Sequence, residues 1–221
     1  TCKAIELKSD FAEAHTNLGN ILKENGHYAD AITSYKKALK LNTDLSSAKI
    51  ELIASKREIC DWSDQETHNN WLKNLGIKGL AVKPWSFFFL EDNPIKHLKR
   101  SQNYFKENFV QKSYPIASFK NKKIHIGYFS ADFYEHATMY LIASILELHD
   151  KSKFNIYLYS FTPIEDEYTK RAKESGCFFR DIKYLNTIEA VELARRDKLD
   201  IAIDLKGYTK HSRMNIFSYR V

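Results

Sequence analysis

The chain of 221 residues predicts two architectures in series, an α-helical repeat followed by an α/β region built on a parallel sheet. Three observations carry that prediction. The stretch Ala4-Ile5-Glu6-Leu7-Lys8-Ser9-Asp10-Phe11 recurs 34 positions on as Ala38-Leu39-Lys40-Leu41-Asn42-Thr43-Asp44-Leu45. From Lys122 the rhythm changes to short apolar strands alternating with helices of about 10–12 residues, the pattern of βαβ units. A hydrophobic content of 43%, with fourteen Phe and thirteen Tyr, is ample for a sizeable core.

A period of 34 with this content marks a tetratricopeptide repeat, a pair of antiparallel helices that buries its apolar face by stacking on neighbours. Ala14, Leu18-Gly19, Gly26, Tyr28, Ala31-Ile32, Tyr35 and Ala38-Leu39 fill its template, small residues where helices cross closely and large ones in the gaps. Ser9 and Thr43 stand at the repeat boundaries, where Pro is usual, and are expected to cap the helices that follow. Only one repeat is complete, at 12–45, whereas roughly three make a stable array. The chain opens at Thr1, so the sequence reads as a piece of something longer.

Residues 46–60 begin like the first helix of another repeat, with Ala48, Leu52 and Ile59 apolar, but Ile53 stands where the repeat has Gly. The repeat region is therefore set at 1–60. A helical connector is set at 61–121. In it Cys60-Asp61-Trp62-Ser63-Asp64 breaks the pattern, and Ser63 or Asp64 is placed to cap a helix at 65–75. After Gly76 and Gly79, Pro84-Trp85-Ser86 opens the apolar segment Phe87 to Leu90. Asn93-Pro94 starts a helix to about 109, with Ile95, Leu98, Tyr104, Phe105 and Phe109 apolar, and 110–121 is a polar linker with Pro115.

The α/β region is set at 122–221. Its expected strands are Ile124–Phe129, Phe154–Phe161, a short one at Cys177–Ile182, and Leu199–Leu205. Helices are expected at 138–149, 165–175 and 187–197, and a last one from Ser212 or Arg213. Helices on both faces of the sheet and right-handed crossovers follow from the alternation.

Composition narrows the function classes. No run approaches about 18 uncharged apolar residues, so no membrane helix is expected, and no signal peptide is seen. The three cysteines, Cys2, Cys60 and Cys177, are far apart and without metal-ligand spacing, which disfavours a disulfide framework or a metal site and fits a reducing cytoplasm. The net charge of +6 is spread over helical faces where lysines alternate with acids, which favours a solvated surface over a nucleic-acid footprint. There is no GxGxxG fingerprint and no Walker A loop.

In parallel sheets ligands bind outside the carboxyl ends of the strands. Two loops lie there. One is Ser130-Ala131-Asp132-Phe133-Tyr134-Glu135-His136-Ala137-Thr138. It carries a carboxylate and an imidazole just ahead of a helix, whose free N–H groups favour an anion such as a diphosphate. The same residues also fit a plainer role, with Asp132 closing a turn, Thr138 capping the helix and His136 on the surface. The other loop is Lys206-Gly207-Tyr208-Thr209-Lys210-His211-Ser212-Arg213, where Gly207 allows a tight turn and Lys210, His211 and Arg213 gather positive charge. Its spacing fits a phosphate site and a solvated loop equally.

Ile126-Gly127-Tyr128-Phe129-Ser130-Ala131-Asp132-Phe133 with His136, followed by Asp204-Leu205, Gly207-Tyr208-Thr209 and Arg213, closely resembles the protein O-GlcNAc transferase/SPINDLY family. Cys60-Asp61-Trp62 and the Pro84 segment resemble its junction between repeats and catalytic region. The resemblance implies repeats that bind protein acceptors, followed by the first, Rossmann-like lobe of a two-lobed GT-B glycosyltransferase. It implies transfer of a sugar, usually N-acetylglucosamine from UDP-GlcNAc, to Ser or Thr with inversion, with no metal or other cofactor. It implies Asp132 as a proton acceptor near the reacting hydroxyl and His136 against the donor. Thr138 lines the same pocket, and Tyr208, Thr209 and Arg213 bind substrate, the last at the acceptor side. SPINDLY-type members use GDP-fucose, which keeps a protein O-fucosyltransferase open, and a repeat adaptor with a non-catalytic lobe is the rival class.

Two departures stand out. Ala137 replaces the Pro usual after the His, which leaves the loop less rigid. The stretch Trp85 to Leu90 has none of the His that some members place there as a proposed base. Family members also hold most nucleotide contacts in a second lobe, so these 221 residues alone are expected to be inactive.

Overall fold

The computed structural model describes residues 9–109, 114 and 120–219. The first repeat copy up to Lys8, Cys2, most of the linker with its Pro115, and the chain end at Arg220-Val221 lie outside the described residues. The described residues form two compact units, divided between Asn108 and Phe109. Among them no helix is long and apolar enough to cross a membrane.

In the first unit, α1 (Ala12–Glu24) and α2 (Tyr28–Leu41) form the helical hairpin of the repeat, and α3 (Ser46–Glu58) stacks on it. Ala31, Ile32, Tyr35 and Leu52 make the shared core. Gly19 lets α1 approach α2, for a Cβ there would lie 2.4 Å from the Tyr35 ring. The Tyr35 hydroxyl, so enclosed, donates to Asn20 Oδ1 at 2.9 Å.

The expected caps differ. Phe11 and Leu45 hold the N-cap positions, with no side-chain cap bond. Ser9 instead presents its carbonyl to the His15 ring at 3.0 Å. Thr43 lies in a turn closed by Asn42, whose Oδ1 accepts from the Asp44 N–H at 3.0 Å.

α4 (Gln65–Leu72) is shorter than expected. Its N-cap is Asp64, but that carboxylate is given to Lys56 and not to the helix. Lys56, 1% exposed, also donates to Ser63 Oγ at 2.8 Å and pairs with Asp61 at 3.0 Å, which pins the Cys60–Asp64 turn. Pro84–Phe87 is a 3-10 turn that drops Phe87 and Leu90 into a core with Ile50, Ile53, Leu72, Leu75 and Val82. α5 (Pro94–Asn108) corrects the apolar face read from the sequence. Ile95 and Leu98 are exposed and Arg100 is fully buried. Its guanidinium donates to the carbonyls of Leu75 and Leu72 at 2.9 and 2.8 Å and pairs with Glu91 at 2.7 Å. It also lies 4.1 Å from the Phe87 ring centroid.

The second unit is a four-stranded parallel sheet: β1 (Ile124–Ser130), β2 (Phe154–Ser160), β3 (Phe178–Asp181) and β4 (Ile201–Asp204). The spatial order is β3-β2-β1-β4, with Ile124 opposite Phe154, Tyr157 opposite Phe178 and Ile126 opposite Ile201. The crossovers are α6 (Ala137–Leu148), α7 (Glu167–Glu174) and α8 (Thr187–Arg196).

Alternation along β2 sends Ile156 and Leu158 to one face, under Met139, Leu146 and Ala172 of α6 and α7. Tyr157 and Tyr159 go to the other, under Ala190, Val191 and Ala194 of α8. Both faces are therefore covered. The last helix expected is instead a 3-10 segment, Met214–Tyr219, whose Ile216 and Phe217 seal the α8 face. Met-Asn-Ile-Phe-Ser-Tyr is rich in residues of middling helix propensity, so packing decides its form.

Candidate active site

The strand order fixes where a ligand fits. From β1 the chain winds outward through β2 to β3, then returns to place β4 on the other side of β1. The order reverses between β1 and β4, and in open parallel sheets the crevice at the carboxyl ends of such a pair is the binding position. The loops after β1 and β4 are the two that sequence reasoning singles out.

The β1 loop is built rigidly. Ala131 and Phe133 are buried, and Phe133 is part of the α6–α7 core. Between them Asp132, 4% exposed, points its N–H at Ser130 Oγ, 2.9 Å away. Further on, the Glu135 N–H donates to Asp166 Oδ2 at 2.7 Å. Asp166 is itself the N-cap of α7, in a capping box with Thr169, so one side chain starts α7 and ties down the loop.

His136 is the N-cap of α6. Its Nδ1 accepts from the Thr138 N–H at 3.1 Å. The plainer sequence reading gave this cap to Thr138, but the imidazole takes it. With Nδ1 accepting, a neutral imidazole carries its proton on Nε2. Thr138 Oγ1 lies 3.4 Å from Asp132 Oδ2, to which it donates, and 3.2 Å from His136 Nδ1. His136 Nδ1 lies 3.7 Å from the same carboxylate oxygen.

The partner that sequence reasoning missed is Lys206. Its ammonium donates to Asp132 Oδ1 at 2.9 Å and Oδ2 at 2.8 Å, with both side chains under a tenth exposed. Lys206 is the second residue after β4, and only the strand order, which places β4 beside β1, brings it opposite the turn that follows β1. Positive charge in that loop was instead assigned to Lys210, His211 and Arg213.

Asp204, the last residue of β4, is a second omission. Its Oδ1 accepts from the Lys206 N–H at 2.9 Å. Burial pushes its carboxyl above the ordinary aspartate range, against the pull of the Lys206 and Gly207 N–H groups and the Lys206 charge.

The remaining expected residues lie along the β4 loop. Thr209 Oγ1 donates to the Lys206 carbonyl at 2.7 Å, closing the turn that Gly207 enters at φ 53°. Tyr208 sits within that turn, partly buried. Arg213 donates to the carbonyls of Ile182 and Leu185 at 2.8 and 2.9 Å and stacks over Phe161 at 5.6 Å, and its burial lowers its basicity. Asp132, His136, Thr138 and Lys206 thus form one cluster. Thr209 joins it through Lys206, and Arg213 anchors the loop to the segment after β3.

The cluster sets the partly exposed His136 ring and the start of α6 beside a buried ammonium–carboxylate pair. Such a set is suited to holding an anionic or polar oxygen. Among the described residues no three His, Cys, Asp or Glu side chains gather as metal ligands would.

The chain matches known proteins over both of its regions. The tetratricopeptide-repeat profile matches residues 12–44, and the profile of glycosyl transferase family 41 matches residues 97–221. The chain is 29% identical over 98 residues to the probable UDP-N-acetylglucosamine–peptide N-acetylglucosaminyltransferase SEC of Arabidopsis thaliana, covering 44% of this chain and 10% of that protein. It is 32% identical over 119 residues to the probable transferase SPINDLY of Oryza sativa subsp. japonica, covering 49% and 13%. It is 33% identical over 102 residues to the UDP-N-acetylglucosamine–peptide N-acetylglucosaminyltransferase of Caenorhabditis elegans, covering 45% and 9%. Among solved structures, a mutant of the Thermobaculum terrenum O-GlcNAc transferase superposes with a TM-score of 0.58 at 25% identity, over 98% of this chain and 37% of that one. The chain thus spans about a third of that solved relative and matches about a tenth of each curated one. The family profile takes in the sheet, both crevice loops and the whole cluster: the chain belongs to glycosyl transferase family 41.

Proposed function

We propose that the protein carrying this chain is a protein O-glycosyltransferase. It moves N-acetylglucosamine from UDP-GlcNAc to Ser or Thr hydroxyls, with inversion at the anomeric carbon and no metal. The observation that carries this is the cluster at the β1–β4 crevice within a family 41 segment. The acceptor oxygen bonds to the anomeric carbon as the carbon–oxygen bond to the diphosphate breaks; the electron pair leaves with the diphosphate, and the hydroxyl proton passes to solvent water. Fixed donors aimed at that developing charge lower the barrier. His136 Nε2–H and the α6 N-terminus supply such a field in this lobe. The helical repeat recruits the protein acceptor. Among the described residues, exposed Cys60 and buried Cys177 are free thiols, which fits a reducing cytoplasm.

The test is donor hydrolysis by the native-length protein, with UDP-GlcNAc and GDP-fucose side by side. Release of UDP well above the release of GDP is the expected outcome. The reverse preference assigns a fucosyl donor. Release of neither by folded protein removes the transferase reading and leaves a repeat-based adaptor.

A further inference from the structure

We propose that Lys206 is a positioning residue of this site: it clamps the loop after β4 onto the loop after β1, with Asp132 as its fixed counter-ion. As a role in turnover, this rests on the transferase reading above.

The geometry is specific. Lys206 reaches both oxygens of Asp132, at 2.9 and 2.8 Å, across the point where the strand order reverses. Each partner is fixed from its own side. Asp132 is held by the Ser130 hydroxyl and flanked by buried Ala131 and Phe133. Lys206 is held through its N–H on Asp204 and its carbonyl under Thr209. Thr138 then links the carboxylate to the α6 start, which His136 caps. The chain Lys206–Asp132–Thr138–His136 therefore sets how the two rims of the crevice face each other.

Energetics point the same way. Taking two charges out of water costs about as much as their attraction returns, so a well-packed uncharged pair would serve stability equally. A buried ion pair placed at the binding crevice is better explained by the geometry it enforces. Most of the acceptor capacity of Asp132 is also taken. A carboxylate offers about four lone-pair sites, and Lys206 and Thr138 occupy three. That commitment makes Asp132 poorly placed to collect the substrate proton.

The test is a double-mutant cycle in the native-length protein: D132N, K206M and D132N/K206M. It reads kcat and KM for the sugar nucleotide, the melting midpoint, and hydrogen exchange over 131–138 and 204–213. A clamp predicts that each single variant melts lower, exchanges faster in both loops, and loses at least about tenfold in turnover, mostly in kcat. The double variant, with no charge left unpaired, recovers the melting midpoint and is no slower than the slower single. K206M at wild-type kcat beside an inactive D132N would overturn the clamp and make Asp132 the proton acceptor. So would losses that multiply to about a hundredfold, since independent roles add in free energy. If the wild type itself turns over no donor, the transferase reading fails separately. Exchange and melting then still decide whether the two loops are clamped.

Discussion

We propose that His136 divides its two ring nitrogens between architecture and chemistry. Nδ1 holds the first turn of α6, while the side chain remains 38% exposed. The two roles separate experimentally. Asn at an N-cap offers an oxygen where Nδ1 now accepts, but nothing where Nε2 lies. We expect His136→Asn in the native-length protein to melt like the wild type and to turn over at least about tenfold more slowly, as loss of one charge-stabilising donor implies. His136→Ala should show the same kinetic loss and also lose the cap, at about 1 kcal/mol. Wild-type turnover in His136→Asn would return this residue to the helix-capping role alone.

Asp204 makes the opposite kind of prediction. Burial raises its folded pKa above its unfolded value. Its stabilising contribution is therefore complete below the unfolded pKa and lost as pH rises through the folded one. At neutral pH the ionised carboxylate is a net cost to the fold. Asp204→Asn, which still accepts from the Lys206 N–H, should melt higher than the wild type at neutral pH. The difference should shrink as acid protonates the native carboxyl. Thermal melts of both proteins across the acidic range check this, and a lower midpoint for the variant at neutral pH contradicts it.

Among the elements, the α1–α2 hairpin depends most sharply on a single small residue. A methyl group at Gly19 would overlap the Tyr35 ring, which is fully buried and tied to Asn20, so helix or ring must shift. Gly19→Ala gains helix propensity but should still destabilise the repeat by about 1–3 kcal/mol, the usual cost of overpacking. Chemical denaturation measures it, and an unchanged or higher midpoint would mean that the crossing is looser than described. Gly19 and Tyr35 were legible because the 34-residue period of the segments flanking them marks the repeat, whose template they fill. The strands were legible from composition: stretches such as Ile156–Tyr159, buried on both faces, read as unbroken apolar runs.

The buried cations were not legible. Arg100 lies on a helix whose pattern points Ile95 and Leu98 inward, and it is stabilised by carbonyls and an acid from two other stretches of chain. No local periodicity encodes such partners. The caps failed likewise: Asp64 holds an N-cap position but gives its carboxylate to Lys56, and Thr43 lies two residues before the N-cap Leu45, in a turn closed by Asn42. In the candidate site the β1 loop was readable as a helix start beside a carboxylate. Lys206 was not, since its meaning comes from a strand order that places β4 next to β1.

At the scale of the whole molecule, a helical repeat and a parallel α/β unit share one chain, and the second carries the chemistry. Its sheet order, β3-β2-β1-β4, brings residues 132 and 206 together across 74 positions of sequence. Neither loop alone makes the cluster; the sheet order sets a capped helix start, a partly exposed imidazole and a buried ion pair beside one another. The most direct measurement is sugar transfer from UDP-GlcNAc to a Ser/Thr peptide by the native-length protein, run beside His136→Asn, with the anomeric linkage of the product determined. The account predicts transfer with inversion by the wild type and at least about a tenfold lower rate in the folded variant. Transfer with retention, or equal rates in the two proteins, would contradict it.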